Sequence, residues 1–432
     1  MQAGYAGGDG HMMDTEFLGK PHHYEPRRVF GQSAVDWQDR VDFSRLRRER
    51  LARVRQKMRE QGLGGLVLFA GDNVRYLTGT FQGNWKYNIF IRYAVLPGDG
   101  PPVLFETVGS DLECARIDCP WLERGRIRPA MTWKWAEGAE GRMAEKMASS
   151  VVAALKEHGV HRERIGIDVI DMRGMEALSR SGLTLVNAWP VMSAARVIKT
   201  PDEIELIKQS TAIADAAFWR IKHEWLKPGV TEAEITSLVN QFLYARGFEV
   251  VYDIIVASGG NTSPYRRWHT DKMVRQGDLV IVDISGMGPS GYFCDAVRCF
   301  KVADRPTAQE KALYRECLES LQRAMDAVRP GATTADVAAQ FPEYDDDRYG
   351  SVSLQQFGHS IGLSLYEGMW ISRAYSLEYP APIQANMVLA LETYAGKPGL
   401  SQTVRLEQDL VVTDSGYELL TLMPLEEDFL AP

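Results

Sequence analysis

Asp283, Asp295, His359, Glu392 and Glu407 are four carboxylates and one imidazole, each set on or beside an apolar run. Asp283 ends Leu279-Val280-Ile281-Val282, and Asp295 closes Gly291-Tyr292-Phe293-Cys294. His359 lies in Phe357-Gly358-His359-Ser360-Ile361-Gly362. Glu392 ends Met387-Val388-Leu389-Ala390-Leu391, and Glu407 follows Val404-Arg405-Leu406. A lone carboxylate in such surroundings costs several kcal/mol to bury. Paired divalent cations are the natural compensation. Oxygen donors with one imidazole suit Mn, Fe, Co or Zn. Two such ions sharing carboxylates would hold a water, lower its pKa and polarise a substrate carbonyl. Taken singly, a buried Asp can cap a turn and a His among glycines can be structural. Five such positions in order point to a dinuclear metal site.

The elements must bring these residues together. Asp283 and Asp295 flank Ser285-Gly286-Met287-Gly288-Pro289-Ser290-Gly291, a turn-rich stretch that predicts a hairpin with the two carboxylates facing each other. Glu392 and Glu407 flank Gly396-Lys397-Pro398-Gly399, a second hairpin. His359 is expected after a strand and before a Gly-rich turn. Strand alternation turns Cys294 away from the face of Asp295 and into the core.

Upstream, helix and strand alternate as in an α/β domain. Helices are expected at 46–61, 142–158 and 172–179, and strands at 66–69, 93–96, 102–105 and 164–168. Asn73–Gly79 reads as a turn and short segment. Thr200-Pro201-Asp202-Glu203 is a capping box that opens a helix to about Leu226, and Thr231 with Glu234 opens another to about Arg246. A further helix is expected over 308–328, among strands. Residues 1–12 are Gly-rich and read as a vector-derived leader, with Met13 as the native start. The chain divides into an arm to residue 45, a first domain over 46–195 and a second over 196–432. Asp345-Asp346-Asp347 reads as a solvated loop.

Composition sets limits on function. The 432 residues are 45% hydrophobic and 25% charged, ordinary for a globular chain, with a formal net charge of −8. An acidic balance argues against a nucleic-acid partner. No apolar run is long enough to span a bilayer, and no signal-peptide core is evident. Five scattered cysteines read as reduced thiols in a cytoplasm.

With its five residues in this order, the chain resembles the M24 metallopeptidase superfamily, creatinase/prolidase type. Asn73–Gly79 and Arg196–Glu203 resemble that type's N-terminal domain and junction. The resemblance implies an α/β (α+β) chain, a creatinase-like N-terminal domain followed by a C-terminal pita-bread domain. It also implies a homodimer and two divalent metal ions. Asp295 and Glu407 would bridge both metals, Asp283 would serve one, and His359 and Glu392 the other. The implied activity is hydrolysis of a C–N bond in a small amide or dipeptide-like substrate, with Glu392 shuttling the proton.

Several positions depart from the peptidases. A second active-site His is usual seven residues after the metal His; here that residue is Tyr366. The loop before the first Asp usually carries a His; here it reads Asn261-Thr262-Ser263-Pro264-Tyr265-Arg266-Arg267-Trp268-His269, with His269 as the substitute. Thr393 stands where peptidases often have Pro. The layout also resembles the superfamily's dimethylsulfoniopropionate lyase branch, through Asn73–Tyr76 with Trp85 beyond it, and an insertion over Gly368–Ala385. That branch implies elimination to dimethyl sulfide and acrylate. Its catalytic Asp is absent, leaving Glu367 or Tyr366 as the base, and Ser285 replaces an extra metal-binding Asp. Trp268, Trp370, Tyr394, Tyr265 and Tyr375 offer faces to a cationic or sulfonium group. Arg266, Arg267 and Arg298 are candidates for a substrate carboxylate. A non-catalytic pita-bread binding module is the remaining alternative, against which the complete ligand set argues.

Overall fold

A computed structural model describes residues 40–81, 92–134, 137–343, 356–396 and 400–430. Most of the arm, Trp85, the Asp345–Asp347 run and the tip of the second hairpin lie outside the described residues.

The first half is built on a six-stranded mixed sheet, β1 (Gly65–Leu68), β2 (Tyr93–Pro97), β3 (Val103–Thr107), β4 (Ile127–Ala130), β5 (Arg164–Ile167) and β6 (Thr184–Asn187), in the order β4-β3-β2-β1-β5-β6. Its strands carry apolar residues on both faces, because helices cover both. Leu66, Leu68, Ala94 and Leu96 pack with Leu46, Val54 and Met58 of α1 (Phe43–Glu60). On the other face, Val67, Tyr93, Val95 and Phe105 pack with Met147, Val151 and Leu155. Those three residues belong to α4 (Glu140–Lys156), and the other helices of this half are α2 (Gly71–Thr78), α3 (Ser110–Asp118), α5 (Met172–Arg180) and α6 (Trp189–Arg196).

The Asn73 segment, expected as a turn, is the helix α2. Asp168 sets its start, accepting from the backbone N–H groups of Phe69 and Ala70 and from Asn73 Nδ2. Gly79 ends it at φ +71°, a left-handed position that glycine adopts without strain. The sequence signal was ambiguous because the segment spans only two turns and most of its side chains are buried.

α7 (Pro201–Arg220) and α8 (Glu232–Tyr244) open the second half, each with the expected capping box. Thr200 Oγ1 accepts from Glu203 N at 3.1 Å, and Glu203 Oε2 accepts from Thr200 N at 2.8 Å. Such a cap stabilises a helix by about 1 kcal/mol. After Arg220 the chain widens into a π turn at Ile221–Trp225, so it stays helical close to the expected end.

Two antiparallel sheets follow. β7 (Val250–Ser258), β8 (Leu279–Met287) and β9 (Phe293–Lys301) form the first. β10 (Gly358–Ser360), β11 (Trp370–Ile371), β12 (Val388–Ala395), β13 (Val404–Val412) and β14 (Tyr417–Leu419) form the second, ordered β11-β10-β12-β13-β14. Helices α7 and α8 lie on the first sheet, and α9 (Ala308–Asp326) lies on β12 and β13. The sheets join where β9 meets β13. Asp295 N–H donates to Asp409 Oδ2 at 3.0 Å, and Arg298 Nη1 donates to the Glu407 carbonyl at 2.8 Å. His359 lies within β10 rather than after a strand. Gly358 beside it is required by close approach, since a Cβ there would lie 2.8 Å from the Ala390 carbonyl oxygen.

Candidate metal centre

Strand register puts the five residues on inward faces. Across β8 and β9, Ser285 is opposite Asp295 and Asp283 is opposite Val297, so the two Asp side chains sit diagonally on one face. Across β12 and β13, Glu392 is directly opposite Glu407. His359 pairs with Ala390, two residues before Glu392, and so shares that face. A cavity of about 460 Å³ opens between the sheets, with Asp283, Asp295, Glu392 and Glu407 in its wall.

Asp295, His359 and Glu407 each offer a ligand atom, and these three atoms lie within 4.8 Å of one another. His359 Nε2 is 3.2 Å from Asp295 Oδ2. Its Nδ1 lies 3.2 Å from the Ser360 carbonyl, which can only accept. With Nδ1–H given to that carbonyl, Nε2 is the ring nitrogen turned toward the cluster and the one that would ligate a metal. Asp283 accepts from the Tyr265 hydroxyl at 3.1 Å. Ser285 Oγ lies 2.7 Å from Asp295 Oδ1 and 3.2 Å from Asp283 Oδ1; its single proton serves one of them at a time. Glu392 accepts from Gln356 Nε2 at 2.7 Å through Oε1 and pairs with Arg405 through Oε2. Each of its oxygens keeps a further lone pair.

The charges are poorly matched. Burial, then the Asp295 carboxylate, pushes Asp283 from 3.8 up to about 7. Burial, Asp295 and Asp283 likewise push Glu407 well above the usual carboxylate range. Burial also raises Asp409, despite the N–H it accepts from Asp295. Glu407 Oε2 is buried with no hydrogen-bond partner among the described residues. Crowded carboxylates, an orphaned oxygen and an imidazole nitrogen turned toward them fit a divalent cation. Asp283 and Glu392 line the same cavity outside the tight three-residue cluster.

The other expected site residues divide. Tyr366 and Trp370 line the cavity. The Tyr366 ring meets the His359 ring edge-on at 4.7 Å, and Arg267 lies beside its hydroxyl in the cavity wall. Glu367, one residue on, points elsewhere. It is buried against Arg196 Nη2 at 3.0 Å and Lys199 Nζ at 3.7 Å. Arg266, Trp268 and His269 are exposed and are not in the cavity wall; Trp268 is 77% exposed. Tyr394 is buried, its hydroxyl donating to the Thr262 carbonyl at 3.5 Å, and it too is absent from the wall. Arg298 is structural: it donates to the carbonyls of Val297, Glu407 and Met423 and to Gln408 Oε1. Cys294 is in the core.

Tyr252, Asp253, Gln356 and Arg405 are cavity residues that sequence reasoning missed. Arg405 was findable, since it lies two before Glu407 on one strand and so shares its face. Asp253 was not, because a register shift between Val251 and Asp253 decides that it sits opposite Ser285.

The model of metallopeptidase family M24 matches residues 205–414, and that of the creatinase/prolidase N-terminal domain matches residues 50–198. The chain is 24% identical over 412 residues to the dimethylsulfoniopropionate lyase DddP of Roseovarius nubinhibens, covering 92% of this chain and 90% of that protein. It is 26% identical over 380 residues to the probable dipeptidase PepE of Mycobacterium bovis, covering 87% and 95%. The crystal structure of dipeptidase PepE from Mycobacterium ulcerans superposes with a TM-score of 0.72 at 25% identity, over 89% of this chain and 98% of that one. A creatinase/prolidase domain precedes the two-sheet domain, which is the pita-bread fold, and the chain belongs to metallopeptidase family M24.

Proposed function

We propose that this chain is a divalent-metal-dependent hydrolase that cleaves a C–N bond in a small, dipeptide-like substrate. The observation that carries the reading is the split between two carboxylates. Glu392 opens onto the cavity beside Glu407. Glu367, a candidate base for elimination, is held outside it by Arg196 and Lys199. Relatives named as dipeptidases align along most of the chain.

Asp283, Asp295, His359, Glu392 and Glu407 would hold two ions of Mn, Fe, Co or Zn. Bound there, the metals would supply Lewis-acid polarisation of the scissile carbonyl and a water of lowered pKa. Glu392 receives the proton of the attacking water and passes it to the leaving nitrogen. Gln356 and Arg405 fix the carboxylate for that exchange. Tyr366 takes the position of a peptidase imidazole. Burial and the Asp295 charge push its hydroxyl above the usual tyrosine value, which favours the protonated form as a hydrogen-bond donor to substrate. Leu365 and Trp370 add apolar surface to the cavity wall. A cytoplasmic setting and a homodimer belong to the same proposal.

The alignment with DddP favours a second reading, elimination from a sulfonium carboxylate with Tyr366 as base. A proton NMR time course on Mn(II)-loaded protein separates the two. Its panel holds Xaa-Pro dipeptides, N-acyl amino acids and dimethylsulfoniopropionate. Amide cleavage into two products is expected; acrylate with dimethyl sulfide would overturn the hydrolytic reading.

A further inference from the structure

Asp295 and Glu407 come from different sheets, yet with His359 they place ligand atoms within 4.8 Å of one another. Among the described residues no backbone ladder joins β9 to β13, and β9 is the edge strand of its sheet. Side-chain bonds span the gap instead, and they are reciprocal. Asp409, two residues after Glu407, accepts the Asp295 N–H through Oδ2 at 3.0 Å. Arg298, three residues after Asp295, donates from Nη1 to the Glu407 carbonyl at 2.8 Å. The near neighbour of each ligand thus grips the backbone of the other.

Both arms of this clasp are held from behind by residues 420–423. Arg298 Nη2 donates to the Met423 carbonyl at 3.0 Å and to Gln408 Oε1 at 2.9 Å. Asp409 gives its own N–H to Thr421 Oγ1 at 3.2 Å, and its carbonyl accepts from the Leu420 N–H at 2.8 Å. Asp215 of α7 accepts the Leu422 N–H, which ties the same segment to a helix. The Arg298 guanidinium also lies 5.4 Å from the ring of Phe218 on that helix. Arg298, Asp409 and Thr421 are all buried, and neither Arg298 nor Asp409 reaches the cavity wall. They cannot meet a substrate there. A buried carboxylate is a costly way to pair one edge N–H. Charge-assisted bonds do, however, fix distance and direction more firmly than neutral ones.

We propose that Arg298 and Asp409 are positioning residues for the metal centre. Their reciprocal clasp sets the separation of the Asp295 and Glu407 carboxylates, and so the affinity for the cations. The inference rests on the metal-centre reading given above, and not on which bond is broken there.

Calorimetric titration of metal-free protein with Mn(II), well below the unfolding temperature, reads the clasp independently of turnover. Asp409→Ala removes the acceptor of the Asp295 N–H and should weaken Mn(II) binding about tenfold or more, the scale on which groups that orient metal ligands act. Asp409→Asn keeps a carbonyl oxygen in that place and should bring the affinity back near the wild-type value. Leu410→Ala is the control: it is the next residue on β13, with its side chain in the apolar core on the other face. It should lower the urea midpoint comparably and leave the Mn(II) affinity of the folded chain unchanged. If Asp409→Ala does not fold, Thr421→Val takes its place, since it removes the oxygen that accepts the Asp409 N–H; weakened Mn(II) binding is again expected. An unchanged Mn(II) affinity in the variant tested, or an equal loss in Leu410→Ala, overturns the clasp and leaves the metal centre standing. So does an Asp409→Asn variant as weak as Asp409→Ala, because the acceptor is then not what matters. A wild-type chain that takes up no Mn(II) overturns the metal-centre reading, and the clasp with it.

Discussion

Glu407 concentrates the electrostatics of the site at one residue. It stands opposite Glu392, and its pKa is raised by burial, Asp295 and Asp283, in that order. This has a consequence for stability. Asp283 titrates at 3.8 when unburied and at about 7 in the folded chain. At low pH both states hold the proton. As pH rises past 3.8 the unfolded chain releases it and the folded chain does not, so folding stability falls until about 7 and then levels off. The metal-free protein should therefore lose thermal stability between about pH 4 and pH 7, against the usual trend for paired carboxylates. Saturating Mn(II) should cancel the loss, because the metal takes the place of the protons and its binding strengthens as they leave. Differential scanning at several pH values, with and without Mn(II), checks this. A flat profile for the metal-free chain would show that burial and the neighbouring carboxylates do not raise Asp283 as described. At this scale the sequence was informative for ligands and poor for their neighbours. Tyr366 and Glu367 are adjacent, yet one faces the cavity and the other Arg196. Their loop is irregular, so no periodicity could separate them.

At the scale of elements, hairpins and caps were legible because their signals are local. Register and loop anchoring were not, because they depend on partners far along the chain. Glu232 illustrates this. In sequence it is an ordinary first-turn acid of α8. In the structure its carboxylate accepts from Ser258 N and Oγ, Asn261 Nδ2, and Thr270 N and Oγ1, at 2.6 to 3.2 Å. These bonds pin both ends of the loop that brings Tyr265 to Asp283 and Arg267 to Tyr366. Removing the carboxylate strands buried donors, at a cost of about 2–4 kcal/mol in all. Glu232→Ala should lower the urea midpoint accordingly and raise KM more than it lowers kcat, since the loop carries binding groups and not the ligands of β8. An unchanged KM in a destabilised variant would mean that the loop holds its place without this clamp.

The two halves of the molecule are joined by buried charge as well as by apolar packing. Arg196, at the end of α6, donates to Asp72 Oδ2 and Asn73 Oδ1 at 2.6 Å each, to Ser364 Oγ at 2.5 Å and to Glu367 Oε2 at 3.0 Å. The first two acceptors belong to α2, and the last two to the loop between β10 and β11. Arg75 of α2 also reaches across, to both oxygens of Glu249 at 2.5 and 2.8 Å. Nothing in the sequence announced these pairs, which lie more than 100 residues apart. The segments were recognisable by resemblance, but their physical role was not. Gly362 belongs to the same joint: a Cβ there would lie 2.3 Å from Glu367 Oε2, so a larger residue would displace the carboxylate that Arg196 holds. Because Glu367 immediately follows Tyr366, the joint also fixes a cavity residue from the far side of the molecule. Breaking one partner of a buried pair costs about 3–5 kcal/mol, largely because the other charge is left uncompensated. Arg196→Met should destabilise the chain by that order in urea unfolding. It should also lower turnover without altering metal content, since none of the five ligands touches Arg196. In a double-mutant cycle with Glu367→Gln, a coupling of about 1 kcal/mol or more is expected. Strict additivity, or loss of metal in Arg196→Met, would mean that the halves are not coupled to the site through this pair.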